Sequence, residues 1–332
     1  MATKSQTVLG IQEYENEQTA FSLPSDVWDH YLKYRPSYPD SMWNKWLDYH
    51  RGDIHTAHEL GTGCGIGAAK LMNAAKARGQ PIRQMILSDP ADSNLKTAER
   101  MLQHRNQFPD AAFRFYRKRG EDSFLKPGSV DMVIACECLH WMDIRKAAAS
   151  IHASLRPGGT FAAVHYSVPS MRIIDNERAT DALRRLLVLQ GSKQSTVMAF
   201  SNRLAELSKL GPGLNFVPLD KDLWEDVTRT WINIPEGQTS LPSWGVRTES
   251  SSAPSMTDAK TETFQWAQDV DGWGMKNCTL DRVKGMLATT YFCDEEMFEG
   301  DAWKDFENTV GKSGDSFPVA FFATTFLSRK RA

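Results

Sequence analysis

The amino-acid sequence predicts an α/β fold, in which a doubly wound, mainly parallel sheet follows N-terminal helices and carries a mostly helical cap insertion. Strand-like and helical segments alternate over about 115 residues after Gly52, which is typical of βαβ units with parallel strands. Four glycines follow the first of these strands, and strand-like residues return near the end of the chain. These observations predict one α/β core that is interrupted late in the sequence.

Five strands are predicted in alternation with helices. The series begins with the strands "IHTAHEL" and "RQMILSD", and helices follow them at "GIGAAKLMNAAKARG" and "SNLKTAERMLQHR". The segment "AFRFYRKR" alternates apolar and basic residues with a period of two, as in a strand with one exposed face. The apolar run "SVDMVIACECLHW" predicts a buried strand, "DIRKAAASIHASL" a helix and "TFAAVHYSV" the fifth strand.

Two helices are predicted ahead of the sheet. Asp26 can cap a first helix that extends to about Tyr34. This helix ends at Arg35, because the residue before a proline avoids the helical conformation. Asp40 or Ser41 then begins a second helix with an apolar face.

The regular alternation stops after Val168. Helices are predicted at "NERATDALRRLLVLQ", "FSNRLAELSKLG", "TFQWAQD" and "LDRVKGMLATTYF". The alternating aromatic segment "DLWEDVTRTWINI" is ambiguous and is interpreted as a strand, and "FPVAFFATTFLSRK" predicts a final strand. The resulting division is a mobile N-terminus (1–25), N-terminal helices with a cofactor-binding core (26–168), a substrate cap with a returning strand (169–315) and a final strand and tail (316–332).

Composition narrows the class of partner. The formal net charge of −2 at pH 7 gives no sign of a nucleic acid or an anionic membrane as the main partner. The first residues lack the apolar stretch of a signal peptide, and no apolar run reaches bilayer length. Five cysteines without metal-type spacing predict neither a disulfide framework nor a metal site. We therefore expect a cytoplasmic protein, a monomer or homodimer, that acts on a small molecule.

The glycines between Gly61 and Gly67 follow a strand and precede a helix, the position at which α/β proteins hold nucleotide-like ligands. Two ligand classes fit this position. The dinucleotide pattern G-x-G-x-x-G/A can be met by Gly63, Gly65 and Ala68. A P-loop is excluded, because no Gly-Lys-Ser/Thr follows.

Two acids disfavour a dinucleotide. Asp89 comes 26 residues after Gly63, whereas the acid that binds a dinucleotide ribose comes about 20 residues on. Glu59 stands directly before the glycines, where it would repel a pyrophosphate and suits a cationic ligand. Gly67 either belongs to the turn or only allows the helix to pack closely on the strand.

These segments resemble the class I S-adenosylmethionine-dependent methyltransferases. "HELGTGCGIG" resembles their first motif, "MILSDPADSNL" their second strand and its acid, "GEDSFLKPGSVDMVIACECLHWMD" the segment through strand four, and "LRPGGTFAAVHY" the turn into strand five. The resemblance covers residues 54–166 and implies a seven-stranded Rossmann-like sheet with S-adenosylmethionine as cofactor. The opening "YLKYRPSYP" also resembles the subgroup of trans-aconitate methyltransferase and its fungal relatives.

The resemblance implies the first part of a cofactor site. Gly61, Gly63 and Gly65 would form the turn under the methionine and ribose parts of the cofactor. Glu59 would orient that turn or the ammonium group of the cofactor. Asp89 would accept hydrogen bonds from both ribose hydroxyls, since a carboxylate has two oxygens.

The second part of the implied cofactor site comes from two further segments. Glu121 or Asp122 would meet the adenine amino group, unless both are solvated surface acids. Cys136 or Glu137, at the end of strand four, would flank the methionine part, although Glu137 could instead pair elsewhere.

Methyl transfer from a sulfonium is an in-line displacement that demands alignment and exclusion of water. A base is needed only for an acceptor that arrives protonated. His140 is the candidate catalytic base, because its pKa can be tuned near neutrality, or it forms the cavity wall beside Trp141. His165 and Tyr166, at the predicted end of strand five, are likewise either a catalytic base or part of the cavity wall.

Substrate contacts are expected from the N-terminal helices and the cap. Arg35 and Arg247 could hold a substrate carboxylate through two hydrogen bonds each, or they are ordinary surface charges. Aromatic side chains could line the pocket or fill the core of the cap; they are Trp28, Tyr34, Tyr38, Trp224, Trp231, Trp244 and Trp266.

The sequence therefore favours a methyltransferase of a small organic molecule, with O-methylation of a carboxylate as the first expectation. The alternatives are N-, S- or phenolic O-methylation, an NAD(P)-dependent reductase, or a cofactor-binding protein without catalysis.

Overall fold

The computed structural model describes residues 25–103, 108–198, 209, 211, 213–241, 254–290, 293, 295–311 and 314–332. The N-terminus predicted to be mobile lies outside these residues, apart from Ser25. Almost all of the helix predicted at "FSNRLAELSKLG" also lies outside them.

The first half of the chain forms the elements in the predicted order. Helices α1 (Ser25–Tyr34) and α2 (Asp40–Tyr49) come first. They are followed by β1 (Thr56–Leu60), α3 (Ile66–Ala77), β2 (Gln84–Asp89), α4 (Asp92–Gln103), β3 (Ala112–Arg117), β4 (Val130–Cys136), a 3₁₀ turn (Leu139–Trp141), α5 (Ile144–Ser154) and β5 (Leu155–Ile173).

The second half mixes helices with further strands. Its elements are α6 (Glu177–Met198), β6 (Trp224–Ile232), β7 (Thr263–Ala267), β8 (Gly274–Cys278), α7 (Leu280–Ala288), a 3₁₀ turn (Glu295–Phe298), α8 (Asp301–Val310) and β9 (Phe317–Lys330).

One sheet contains all nine strands that the described residues form. Its order is β3-β2-β1-β4-β5-β9-β6-β7, and β8 pairs with β9. Strands β1 to β5 are parallel, and β9 runs antiparallel to β5, β6 and β8. The predicted class, a doubly wound and mainly parallel α/β sheet, is confirmed, with two strands more than the seven that were expected.

The additional strands come from the stretch predicted to be a mostly helical cap. The strand interpretation of "DLWEDVTRTWINI" is confirmed by β6, which lies within the sheet. The helix predicted at "TFQWAQD" is wrong, because these residues form β7 at the edge of the sheet, paired with β6. β7 is a strand because it pairs with β6. A local sequence pattern does not show a partner that lies far away in the sequence.

Two apolar cores cover the two faces of the sheet. Helices α2, α3, α6, α7 and α8 pack on one face, around residues such as Trp46, Leu71 and Phe321. Helix α5 and the segment 214–219 pack on the other face, around Phe161, Phe326 and Trp224. The helices predicted at residues 176–190 and 280–292 therefore contribute to the core, as α6 and α7.

Two properties of the described residues concern membranes and metal ions as partners. None of their helices is both long and apolar enough to cross a bilayer. No three His, Cys, Asp or Glu side chains among them are arranged to hold a metal ion.

Candidate active site

The candidate site lies at the carboxyl edge of the sheet, where β1 stands between β2 and β4. The strand order changes direction here, which opens a crevice at the ends of the strands. The glycine turn follows β1, Asp89 ends β2 and Cys136 ends β4. The topology therefore brings the predicted cofactor residues of three strands to one crevice.

Three alternating glycines shape the turn after β1. Gly61, Gly63 and Gly65 have φ angles of +60°, +53° and +82°, in the left-handed region that favours glycine. A Cβ atom at Gly61 would lie 2.6 Å from Cβ of Cys138, and one at Gly63 would lie 2.8 Å from Cη2 of Trp28. The turn thus requires glycine both for its dihedral angles and for close contact.

Glu59 holds the glycine turn to the start of α3. Its Oε2 accepts hydrogen bonds from Oγ1 of Thr62 (2.6 Å) and from the backbone N–H of Ala68 (3.0 Å). Burial outweighs these bonds and raises the pKa of the Glu59 carboxyl to about 7. A Cβ atom at Gly67 would overlap with Oε1 of Glu59, so Gly67 serves close packing. Of the two roles expected for Glu59, its hydrogen bonds in the structure support orientation of the turn.

Asp89 connects the end of β2 to the same turn. Its Oδ2 accepts a hydrogen bond from the N–H of Gly63 (3.0 Å), and its Oδ1 accepts from the N–H of Ala91 (2.9 Å) and from Nδ2 of Asn94 (3.1 Å). Burial raises the pKa of Asp89 to about 6 despite these bonds. A buried carboxylate therefore faces the backbone of the glycine turn from the neighbouring strand.

Trp28 of α1 covers the glycine turn. Its indole Nε1 donates a hydrogen bond to Oδ1 of Asn94 (3.1 Å), and Asn94 in turn donates to Asp89. The sequence placed Trp28 among candidate substrate contacts, and the structure places it at the turn instead, because the glycine at position 63 leaves room for the ring.

The two acids proposed for adenine lie in the turn after β3. Oε1 of Glu121 accepts a hydrogen bond from the N–H of Asp143 (2.7 Å), at the start of α5. Oδ2 of Asp122 accepts from the N–H of Arg119 (2.9 Å), and its side chain is exposed. Both therefore bind backbone of their own surroundings, and their role toward adenine stays a prediction.

The end of β4 carries a conformationally unusual residue. Glu137 has φ of +58°, a conformation that costs about 1–3 kcal/mol for residues other than glycine. Its N–H donates to the carbonyl of Val164 (3.0 Å), and its Oε1 accepts from the N–H of Tyr166. Glu137 thereby ties the end of β4 to β5. Cys136, one residue earlier, lies beside Gly67 and Glu59.

His140 and Trp141 follow in the 3₁₀ turn. The ring centroids of these two residues are 4.8 Å apart, and His140 is buried. Nζ of Lys209 donates to the carbonyl oxygens of His140 and Met142, both at 3.1 Å. Burial, together with the nearby His165, Lys209 and Arg35, lowers the pKa of His140 well below its ordinary value.

Arg35 lies in a cluster between α1, α7 and β5. Its Nε donates to Oγ1 of Thr289 (2.6 Å) and its Nη2 to the carbonyl of Thr289 (3.0 Å). The guanidinium lies over the ring of Tyr31 (4.9 Å) and beside that of Tyr166 (5.9 Å). The structure thus brings Arg35 and Tyr166 together.

Tyr38 belongs to this cluster and Tyr34 does not. The ring of Tyr38 is buried edge-on against those of Tyr166 and Trp43, both 5.9 Å away. Tyr34 instead packs on Gly285 of α7, where a Cβ atom would overlap with its ring. Its expected contact with substrate is therefore not supported by its position.

His165 lies one residue before Tyr166 and is 5% exposed. Its ring centroid is 5.9 Å from that of His140, and its Nδ1 is 3.1 Å from Oε1 of Glu137. The predicted residues at the end of β4 therefore form one buried group with His165 and Tyr166. The prediction that these two end strand five is wrong, because β5 continues to Ile173 by pairing with β9.

Some of the remaining aromatic and basic candidates lie outside the described residues, and the others lie in β6 and β7. Trp244 and Arg247 lie outside the described residues. Trp224 begins β6 at the amino edge of the sheet, opposite the glycine turn, because β6 runs parallel to β5. Trp231 and Trp266 stack on each other at 5.4 Å, on β6 and β7.

Comparison with known proteins gives the family of this chain. Residues 59–163 match the methyltransferase domain family. Methyltransferase nsrG of Aspergillus novofumigatus is 31% identical over 212 residues, which cover 62% of this chain and 74% of nsrG. The chain is a class I S-adenosylmethionine-dependent methyltransferase. Methyltransferase AacuQ of Aspergillus aculeatus is 28% identical to it over 310 residues, which cover 90% of this chain and 92% of AacuQ.

The methyltransferase uses S-adenosylmethionine, which supplies a methyl group bound to a positively charged sulfur. The residues at the crevice fit this group. The turn has no side chain at Gly61, Gly63 and Gly65, which leaves its backbone bare, although Cys138 and Trp28 of the chain itself lie against Gly61 and Gly63. A buried acid stands at the end of β2 and another directly behind the turn, which suits a ligand with hydroxyls and positive charge.

Four residues of the candidate site were not predicted from the sequence. They are Tyr31, Asn94, Lys209 and Thr289. Tyr31 lies four residues before Arg35, and this spacing places both on one side of α1, so a helical pattern could have found it. Thr289 is 254 residues away from Arg35, and no local signal connects them.

Proposed function

We propose that the methyltransferase transfers the methyl group to an oxygen of a small organic molecule, with a carboxylate as its first acceptor. The observation that supports this choice is the guanidinium of Arg35, which hydrogen bonds to Thr289 hold beside the ring of Tyr166 in β5. A guanidinium held in one orientation can bind a carboxylate through two parallel hydrogen bonds. Tyr31 and Tyr38 would add the aromatic walls that small organic ligands favour.

We propose the following contacts for the cofactor. The glycine turn at Gly61, Gly63 and Gly65 would lie under its methionine and ribose parts, and Asp89 would accept the ribose hydroxyls. This proposal is supported by the position of the Asp89 carboxylate, which faces the turn from β2. Glu59 would act from behind, by fixing the turn.

The other cofactor contacts come from the ends of β3 and β4. Glu121 or Asp122 would meet the adenine amino group. Cys136 or Glu137 would flank the methionine part, since both lie at the end of β4, beside the turn. Trp141 and His140 would close the site against water.

A phenolic hydroxyl is the second acceptor class, favoured by the two imidazoles of His140 and His165. Their centroids lie 5.9 Å apart in a buried place, and a hydroxyl acceptor requires a group that takes up its proton. Burial keeps His140 neutral at pH 7, so it can in principle serve as this base.

A radiolabelled-methyl screen tests the proposal. The purified protein is given labelled S-adenosylmethionine with carboxylic acids, phenols, amines and thiols in parallel. Label in an ester, released by mild alkali, would support a carboxylate acceptor, and label in an ether would support a phenol. Label in amines or thiols alone would contradict transfer to oxygen.

The substitution Arg35→Gln tests the carboxylate contact. Because hydrogen bonds to a charged group are worth about 1.5–3 kcal/mol, we expect the KM for a carboxylate acceptor to rise roughly 10- to 100-fold. The Kd for S-adenosylmethionine, measured by calorimetry, should stay the same. Arg51→Gln is the matched control, because Arg51 is exposed at the far edge of the sheet. An unchanged KM in Arg35→Gln would contradict the proposed contact.

A further inference from the structure

His165 is a buried imidazole without a hydrogen bond to the part of the chain that the structure describes. Its side chain is 6% exposed, and neither Nδ1 nor Nε2 has a hydrogen-bond partner among the described residues. Leaving a buried polar group unpaired costs about 1–3 kcal/mol, so such a group requires an explanation. A ligand that bonds to the ring would provide one.

Glu137 is placed to orient this ring. Its Oε1 lies 3.1 Å from Nδ1 of His165, without the alignment of a hydrogen bond. Catalytic hydrogen bonds are often poorly aligned before substrate binds. The carboxylate favours a proton on Nδ1, which leaves the lone pair of Nε2 available. The left-handed backbone of Glu137 is the local strain that this placement requires.

Other groups lie close to this pair: Oε1 of Glu137 also accepts the N–H of Tyr166, and Arg35 interacts electrostatically with Glu137. On β9, Thr324 lies directly opposite His165, and its hydroxyl also has no hydrogen-bond partner within the described part of the chain. The ring of His140 lies on the side of the 3₁₀ turn. The cations Arg35 and Lys209 act on His140, whose pKa burial and these neighbours lower. His140 is therefore a poor proton acceptor.

We propose that His165, oriented by Glu137, takes the proton from an acceptor that arrives as a phenol-like hydroxyl. The inference rests on the proposed transfer to oxygen and assigns the base for its second acceptor class. A carboxylic acid is already ionised at neutral pH. It would give the paired imidazole and carboxylate no proton to accept.

The step balances as follows. The O–H bond of the acceptor breaks, its proton moves to Nε2 of His165, and the electron pair stays on the oxygen. That pair forms the new oxygen–carbon bond, while the carbon–sulfur bond of the donor breaks and its pair remains on sulfur. His165 then carries a positive charge that the Glu137 carboxylate stabilises, until the proton passes to water. His165 is the catalytic residue and Glu137 a positioning residue.

The first experiment compares His165→Gln with the unmodified protein on phenol acceptors. Loss of a general base lowers rates by roughly 10²- to 10⁴-fold, and we expect a loss of kcat in this range at pH 7. The loss should shrink for more acidic phenols and at higher pH, because the acceptor then ionises without help. The Kd for S-adenosylmethionine should be unchanged, which also shows that the variant folds. His55→Gln, an exposed histidine at the amino edge, is the matched control.

The second experiment does not depend on turnover. The absorbance of 4-nitrophenol reports its ionisation when it binds to the protein with S-adenosylhomocysteine. The unmodified protein should bind it as phenolate below the pH at which free nitrophenol ionises, and His165→Gln should bind it protonated. Glu137→Gln should move the rising limb of the pH profile of kcat to lower pH, because the imidazolium loses a neighbouring negative charge, and it should leave a partial phenolate signal, as expected of a positioning residue.

Three outcomes would overturn this inference alone. The first is a His165→Gln variant with unchanged kcat on phenols, and the second is an equal loss on ionised and protonated acceptors, which would assign His165 to the pocket wall. The third is label transfer to carboxylates alone, which leaves the proposed function intact. Absence of transfer to any oxygen, by a protein that binds S-adenosylmethionine, overturns both this inference and the proposed function.

Discussion

At the scale of single residues, two buried acids define the glycine turn. Glu59 binds it from behind and Asp89 from the neighbouring strand, and both carboxylates accept backbone N–H groups. The bonds position the turn, and burial makes ionisation of these acids costly. The same residues therefore couple the shape of the cofactor site to the stability of the fold.

The substitution Asp89→Asn keeps the shape of the side chain and removes its charge. It would lose one acceptor oxygen, so we expect the Kd for S-adenosylmethionine to rise roughly 10- to 100-fold. Calorimetry measures the Kd, and thermal unfolding checks the fold. Asp92→Asn is the control, since Asp92 is an exposed acid that begins α4. An unchanged Kd would show that Asp89 does not contact the cofactor.

The raised pKa of Glu59 predicts how stability depends on pH. The folded carboxyl has a pKa of about 7 and the unfolded one about 4.3, so the folded state holds the proton more tightly. Its contribution to the free energy of unfolding is therefore greatest below pH 4 and is lost as the pH rises through about 7. Glu59→Gln should remove this dependence, on the order of 3 kcal/mol over that range.

Urea unfolding at several pH values between about 4 and 8 measures the effect. The comparison is the slope of unfolding free energy against pH in the unmodified protein and in Glu59→Gln. Parallel slopes would contradict the raised pKa.

At the scale of elements, a buried ion pair holds the second half of the sheet together. Arg229 of β6 binds Glu262, just before β7, through Nε–Oε2 (2.6 Å) and Nη2–Oε1 (3.1 Å), and both side chains are at most 2% exposed. The guanidinium also donates to the carbonyl oxygens of Leu214 (2.8 Å) and Val217 (2.9 Å). One arginine thus connects β6, β7 and the segment that covers them.

Removal of one partner leaves a buried charge unpaired. We expect Glu262→Ala to lower the free energy of unfolding by about 3–5 kcal/mol, measured by urea denaturation. Asp271→Asn breaks an ion pair with Lys276 in which both side chains are more than 80% exposed, and it should cost less than about 1 kcal/mol. Equal effects of the two substitutions would contradict the proposed role of burial.

At the scale of the whole molecule, the first five strands could be predicted because their patterns are local. An apolar run between turn residues indicates a buried strand wherever it pairs. β7 and β8 are short and partly exposed, so their strand conformation depends on pairing with β6 and β9. β9 itself was predicted from its apolar residues, while its place between β5 and β6 was not.

The candidate site, too, could be predicted only where a local pattern fixes its residues. Glu59 and Asp89 could be predicted, because the glycine turn fixes their positions in the sequence. The cluster around Arg35 could be predicted only in part, because Thr289 reaches it from α7 through the tertiary fold. Burial, which sets the pKa values of His140 and Glu59, is likewise a property of the folded chain.

The central place of β9 has a consequence for synthesis on the ribosome. β9 pairs with β5 across a sequence separation of about 162 residues, and it also carries β6 and β8. A nascent chain can form β1 to β5 early, but the edge of β5 then stays open until β9 has been translated. An open edge of this kind is a template for pairing with other chains. We therefore expect chaperones to bind the nascent chain until β9 has been translated.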